Sequence, residues 1–203
     1  MPGKNIIKID AEDIFYHIYN RGVAKTELFR DEDDYCHFES LLERLLLPDE
    51  SRNQNSRTYP TYFGKISLHA YCLMPNHFHL LIKQHKTGAL KEFMRSLSVT
   101  YAMYFNKKYH RRGALYESTY RAAIIDKDAY LTHVSRYIHL NPLGFRSWSH
   151  SSYQDYLYTS RPWITTDLIL GMFATKKYYS AFTDDYADQD TSLPDLAPYL
   201  GDL

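Results

Sequence analysis

MPNHFHLLIK, residues 74–83, is the stretch on which the reading of this chain turns. Its second half is an apolar run of strand type, Phe78-His79-Leu80-Leu81-Ile82, and Pro75-Asn76 ahead of it is a turn signal. Side chains alternate across a strand, so His77 and His79 share one face, about 7 Å apart. Two imidazoles so placed can converge on one ion or one phosphate. Two buried, hydrogen-bonded histidines would leave the same pattern in a sequence.

On the N-terminal side, KISLHAYCL (65–73) reads as a second strand, against which 77–83 returns antiparallel. FYHIYNR (15–21), which alternates and meets Gly22, is a further strand. Residues 31–47 open with acids and carry Phe38, Leu41, Leu42, Leu45 and Leu46 at helical spacing. They predict an amphipathic helix with a favourable dipole, ended by Pro48. Polar, aperiodic sequence at 48–63 predicts a loop.

On the C-terminal side, 88–109 predicts a long helix with Leu90, Phe93, Met94, Leu97, Tyr101, Tyr104 and Phe105 along one side. It runs out in the basic and aromatic NKKYHRRG. A strand is expected over 114–125, and a helix from Asp126 whose apolar side is Tyr130, Val134, Tyr137, Ile138 and Asn141, stopped by Pro142 and Gly144. Aromatic residues at 148–158 are expected to pack over the body, a threonine-capped short helix to span 165–174, and the acidic tail from Asp184 to fray. The order describes an α+β fold, an antiparallel sheet with helices on one face. Residues 1–160 form the expected main domain and 161–203 an extension.

The 203 residues are 44% hydrophobic, enough for a sizeable core, and no apolar stretch approaches a membrane span or a signal peptide. A soluble, cytoplasmic protein is the expectation. Cys36 and Cys72 have no ligand spacing and suggest no disulfide framework. Formal net charge is zero, yet between His77 and Arg146 twelve Lys and Arg stand against four Asp and Glu. That middle third carries +8 and the remainder −8, the footprint of polyanion binding.

A cation that handles phosphate needs a further ligand beside the histidines, and hard Mg²⁺ or Mn²⁺ favours oxygen. RYIHLNP (136–142) offers an oxygen ligand and a nucleophile. Tyr137 and Asn141 are one helical turn apart, so a carboxamide oxygen and a phenolic oxygen share a face. On spacing alone, Tyr137 also fits the apolar stripe of its helix.

Taken together, HAYCLMPNHFHLLIK, the helix FMRSLSVTYAMYFNKKYHRRG, LYESTYRA, RYIHLNPL and WSHSSYQDY resemble the single-tyrosine transposases with a His-hydrophobic-His motif. They are most similar to the REP-associated tyrosine transposase branch, over about 15–156 and in the same order. The resemblance implies a ferredoxin-like, RRM-like nuclease core. It also implies a divalent metal, Mg²⁺ or Mn²⁺, on His77, His79 and Asn141, the last where related enzymes carry glutamine. Tyr137 would attack single-stranded DNA at hairpin or palindromic elements, leaving a 5′-phosphotyrosine and a free 3′-hydroxyl for rejoining. Lys107, Lys108, Tyr109, Arg111, Arg112, Arg121 and Arg136 are the expected DNA-binding residues. Tyr116, Ser118 and Thr119 depart from the tryptophan, glycine and arginine common in the family, so a DNA contact made there by arginine is either lost or shifted to Arg121. Both a homodimer exchanging the tyrosine helix and a monomer occur among such enzymes.

Two other functions compete, a palindrome-binding protein with an inert site and a metal-dependent phosphoester hydrolase. The first does not need His77, His79, Tyr137 and Asn141 together. The second needs carboxylate ligands, and no acid lies between Met74 and Lys91. A tyrosine hydroxyl of pKa roughly 10 is a weak nucleophile, so phosphate polarisation and in-line placement must supply the rate.

Overall fold

A computed structural model of the chain describes residues 9–48, 60–158 and 160–187. Most of the polar 48–63 stretch and most of the acidic tail therefore lie outside the described residues. The first half runs β1 (Ile14–Arg21), α1 (Glu32–Leu46), β2 (Ile66–Met74), β3 (His77–Gln84), α2 (Ala89–Lys108) and β4 (Arg121–Ile125). Then follow α3 (Asp128–His139), α4 (Tyr153–Leu157), α5 (Asp167–Leu170) and α6 (Lys176–Ala187).

The βαββαβ order closes one antiparallel sheet, β2-β3-β1-β4, the ferredoxin-like arrangement. Strand β3 is internal, paired with β1 on one side and β2 on the other. Both neighbours hold its side chains to a fixed register, which makes it a rigid base for a site. At the end of β1, Gly22 accepts what no other residue could, because an added Cβ would lie 1.9 Å from the Thr26 carbonyl oxygen.

Helices cover both faces of the sheet, not one as the sequence reading had it. On one side Tyr16, Ile18, Phe78, Leu80 and Ile82 meet the leucines of α1 and the Phe93, Leu97, Tyr101 stripe of α2. On the other, Phe15, Cys72, Leu81 and Ile125 meet Leu131, Val134 and Ile138 of α3, backed by Tyr153, Tyr156 and Tyr179. Each large apolar side chain so buried contributes about 1.5–3 kcal/mol. In β2 the register shifts between Leu68 and Ala70, a bulge that lets Leu68 and Tyr71 face the same core.

Local reasons account for the element ends. The Asp31 side chain accepts from the backbone N–H of Asp34, and Glu32, Asp33 and Asp34 sit in the first turn of α1. Gly88 takes a left-handed φ of 82° ahead of α2. Strand β4 is shorter than the expected 114–125, because 114–120 is spent on irregular contacts with the end of β1. Among them are a Gly22–Tyr116 bridge and the Glu117 N–H donating to the Arg21 carbonyl.

The buried stripe of α3 is Leu131, Val134 and Ile138, with Ser135, Arg136 and His139 also buried because α6 covers that side. Tyr130, Tyr137 and Asn141, expected in the stripe, are only partly buried. Helix α5 spans four residues where 165–174 was expected, and Thr166 at its start makes no side-chain cap. The segment through Asp184 is helical in α6, and Arg146 ties it down by a 2.7 Å ion pair to Asp184. Among the described residues no helix is long and apolar enough to cross a membrane.

Candidate active site

His77 and His79 project from one face of β3, their rings 5.2 Å apart and perpendicular. His79 is fully buried and His77 partly so. Burial holds the His79 imidazole well below the usual histidine range, His17 and His77 push it the same way, and Asn141 counters them in part. Burial also lowers His77, against a raising contact with Asn141, and Arg21 adds to the lowering. Both rings are therefore neutral near pH 7, the form that ligates metals.

The hydrogen bonds around them fix which nitrogen bears the proton. Nδ1 of His77 is 2.7 Å from Asn76 Oδ1, an atom that only accepts, so the proton is on Nδ1 and Nε2 is a bare lone pair. Asn141 lies just beyond α3, and its Nδ2 donates to the Tyr137 carbonyl at 3.0 Å, which turns Oδ1 toward the histidines. That oxygen stands 3.4 Å from His77 Nε2, acceptor against acceptor. His79 Nε2 is buried with no hydrogen-bond partner among the described residues. His77 Nε2 and Asn141 Oδ1 thus present lone pairs in one place, beside the unpartnered Nε2 of His79. Such a donor set fits a divalent cation that accepts borderline nitrogen and hard oxygen. Among the described residues, no group of three or more His, Cys, Asp or Glu side chains is placed to hold a metal.

Tyr137 of α3 stands edge-on over this group, its ring centroid 5.5 Å from His79 and 5.7 Å from His17. His17 and Tyr19 of β1 share the face, since Tyr19 pairs with His79 across the strands. His17 Nε2 lies 2.9 Å from His79 Nδ1. The reading of FYHIYNR as a strand contained the alternation that puts His17 and Tyr19 together, but not the strand pairing that sets them beside His79. Asn76 and Arg21 were missed likewise; Arg21 pairs with His77 in register and is held by Glu117.

The seven expected DNA-binding residues do not stay together. Arg121 opposes Tyr19 in β4 and so faces the site. Lys107 and Arg112 are exposed at the end of α2. Lys108 and Tyr109 are committed inside the protein instead: the Lys108 ammonium lies 2.6 Å from Asp31 and 2.9 Å from buried Asp34, and the Tyr109 hydroxyl donates to Asp34 at 2.7 Å. Arg111 is half-buried over the Phe105 ring at 5.5 Å. Arg136 is buried, its Nη1 donating to the Phe182 carbonyl at 3.1 Å and its guanidinium lying on Phe182 and Tyr186 at 4.0 and 3.9 Å. The acidic start of α1 and the rings of α6 took up charges that sequence reasoning had left to DNA. His139, beside the site in sequence, points the other way, to Tyr179 and Ser152.

Residues 61–141 match the family model described as "Transposase IS200 like". That stretch, under half of the chain, holds β2 to α3 with His77, His79, Tyr137 and Asn141. The fold around it is shared with a REP-associated tyrosine transposase whose structure is bound to a REP hairpin. The two are 13% identical, with 82% of this chain and 92% of that one covered at a TM-score of 0.54. A candidate transposase of Deinococcus radiodurans R1 is also similar, at 16% identity and a TM-score of 0.39, over 68% of this chain and 95% of that one. No curated protein matches the chain by sequence.

Proposed function

We propose that this protein is a transposase-type endonuclease and strand transferase acting on single-stranded DNA at hairpin elements, with Tyr137 as nucleophile. The observation that carries the reading is the grouping of His77 Nε2, His79 Nε2 and Asn141 Oδ1 beneath the Tyr137 ring. A divalent cation, Mg²⁺ or Mn²⁺, held there supplies Lewis-acid polarisation of the scissile phosphate.

Tyr137 attacks phosphorus through its phenolic oxygen and loses its proton. The bond to the 3′ oxygen breaks, and that oxygen leaves as a 3′-hydroxyl after taking up a proton. The phosphate stays on Tyr137 as a 5′-phosphotyrosine, which conserves the bond energy for rejoining. A 3′-hydroxyl from another end then attacks the same phosphorus and releases the tyrosine. Arg121, on the site face, binds a flanking phosphate, and Lys107 and Arg112, exposed at the end of α2, bind phosphates farther along the strand.

The test is incubation with a labelled library of single-stranded hairpins and Mg²⁺ or Mn²⁺, followed by denaturing electrophoresis. A covalent protein–DNA band, lost on chelation and in the His77→Ala variant, is the expected result. Hairpin binding without any band under either metal would favour an inert binding protein.

A further inference from the structure

The two histidines differ in what meets their inner nitrogen. Asn76 Oδ1 carries no proton, so His77 has one possible arrangement, Nδ1–H inward and Nε2 free. His79 meets a second imidazole. His17 lies on β1, has no exposed surface, and its ring is within 20° of coplanar with that of His79 at a centroid distance of 5.1 Å. Across the 2.9 Å between His17 Nε2 and His79 Nδ1 there is room for one proton. If the proton belongs to His79, its Nε2 is a lone pair and a ligand. If it belongs to His17, His79 carries its own proton on Nε2 and is barred from ligation.

We propose that His17 is a positioning residue that accepts the Nδ1 proton of His79 and thereby keeps the His79 Nε2 lone pair turned to the cation. This rests on the metal-site reading above. Among the described residues, His79 Nε2 has no hydrogen-bond partner in bonding geometry. A buried donor without an acceptor is among the more costly features a folded protein can hold, so the proton stays on Nδ1. Histidine ligands are commonly oriented by a carboxylate or a carbonyl. His17 is a neutral ring doing that work, and it orients without adding a negative charge to a buried place. Its position across the sheet also explains a second imidazole on β1 that Tyr137 and Asn141 do not require.

The test compares Mn²⁺ affinity, read by the EPR signal of free Mn²⁺, in wild type, His17→Phe, His17→Gln and His77→Ala, with the nitrogen shifts of His79 in metal-free, ¹⁵N-histidine-labelled wild type. His17→Phe keeps a ring but offers no acceptor, and is expected to weaken Mn²⁺ binding about 10–100-fold. His17→Gln returns an acceptor near the same point and is expected to recover most of that loss. Nε2 of His79 should resonate as an unprotonated imidazole nitrogen, a reading that needs no variant to fold. Wild-type affinity in His17→Phe with loss in His77→Ala, or a protonated Nε2, would overturn the role of His17 alone. Equal Mn²⁺ binding by wild type and His77→Ala would overturn the metal site itself.

Discussion

Tyr179→Phe is expected to destabilise the protein although it removes one oxygen and leaves every ring in place. The Tyr179 hydroxyl is buried between α6 and α3, 2.7 Å from His139 Nδ1 and 3.1 Å from Ser135 Oγ. Ser135 keeps a second partner, since its hydroxyl donates to the Thr132 carbonyl at 2.9 Å. His139 Nδ1 keeps none, because the other ring nitrogen is the one that meets Ser152 Oγ at 2.8 Å. One fully buried polar atom is therefore orphaned, at about 1–3 kcal/mol. The Phe ring still stacks on Tyr156, centroids 4.6 Å apart, and meets Phe173 edge-on, so the apolar packing is kept. For a chain of this size each kcal/mol moves the melting midpoint by about 2–4 °C, so a loss in the middle of that range lowers Tm by about 4–8 °C. The assay is a thermal melt followed by circular dichroism, with exposed Tyr178→Phe as the control expected to stay within about 0.5 kcal/mol of wild type. A Tyr179→Phe midpoint within 1 °C of wild type, roughly the scatter of the control, would refute the view that this hydroxyl chain holds α6 to α3.

Tyr137→Phe is expected to abolish the covalent protein–DNA band while hairpin binding, measured by gel shift, stays near wild type; Tyr130→Phe, also on α3, should keep the band. Lys107→Ala with Arg112→Ala should weaken binding on all hairpins and flatten the slope of log affinity against log salt by about 0.7–0.9 for each phosphate no longer neutralised. Lys108→Ala should show instead as a lower urea midpoint, since it leaves buried Asp34 without its cation. His150 opposes the cost of its burial with hydrogen bonds to Glu39 and Glu32 that hold its pKa above the usual histidine value. Its stabilising share is therefore complete below the unfolded value and lost as pH rises through the raised folded one. The difference in urea midpoint between wild type and His150→Gln should accordingly be larger at pH 5.5 than at pH 8.5.

Much of the fold was legible because its strands and helices announce themselves by period. The alternation around His79 and the leucine spacing of α1 gave elements within one or two residues of those observed. The two-sided sheet was not legible, since the period of α3 says that it buries a stripe but not which surface of the sheet receives it. The site was read through residues close in sequence, Tyr137 with Asn141 and His77 with His79. What surrounds them comes from strand pairing across 62 positions, as with His17 and His79, and no local pattern carries that. The placement of the basic residues was not legible for a related reason. Lys108 and Arg136 look free until Asp34 and the rings of α6 are brought beside them by the chain's return.

Helix α3 works with both of its sides. Tyr137 and Asn141 look toward the histidines, while Arg136 and His139, their near neighbours, are anchored by the rings and carbonyls of α6. Truncation is one way in which this arrangement can be lost. A copy ending at Leu170 would retain His77, His79, Tyr137 and Asn141 and would score as intact by its signature residues. It would nonetheless have lost what braces the helix that carries two of them. Survival of α6 is thus as informative a mark of a braced site as survival of the motif itself.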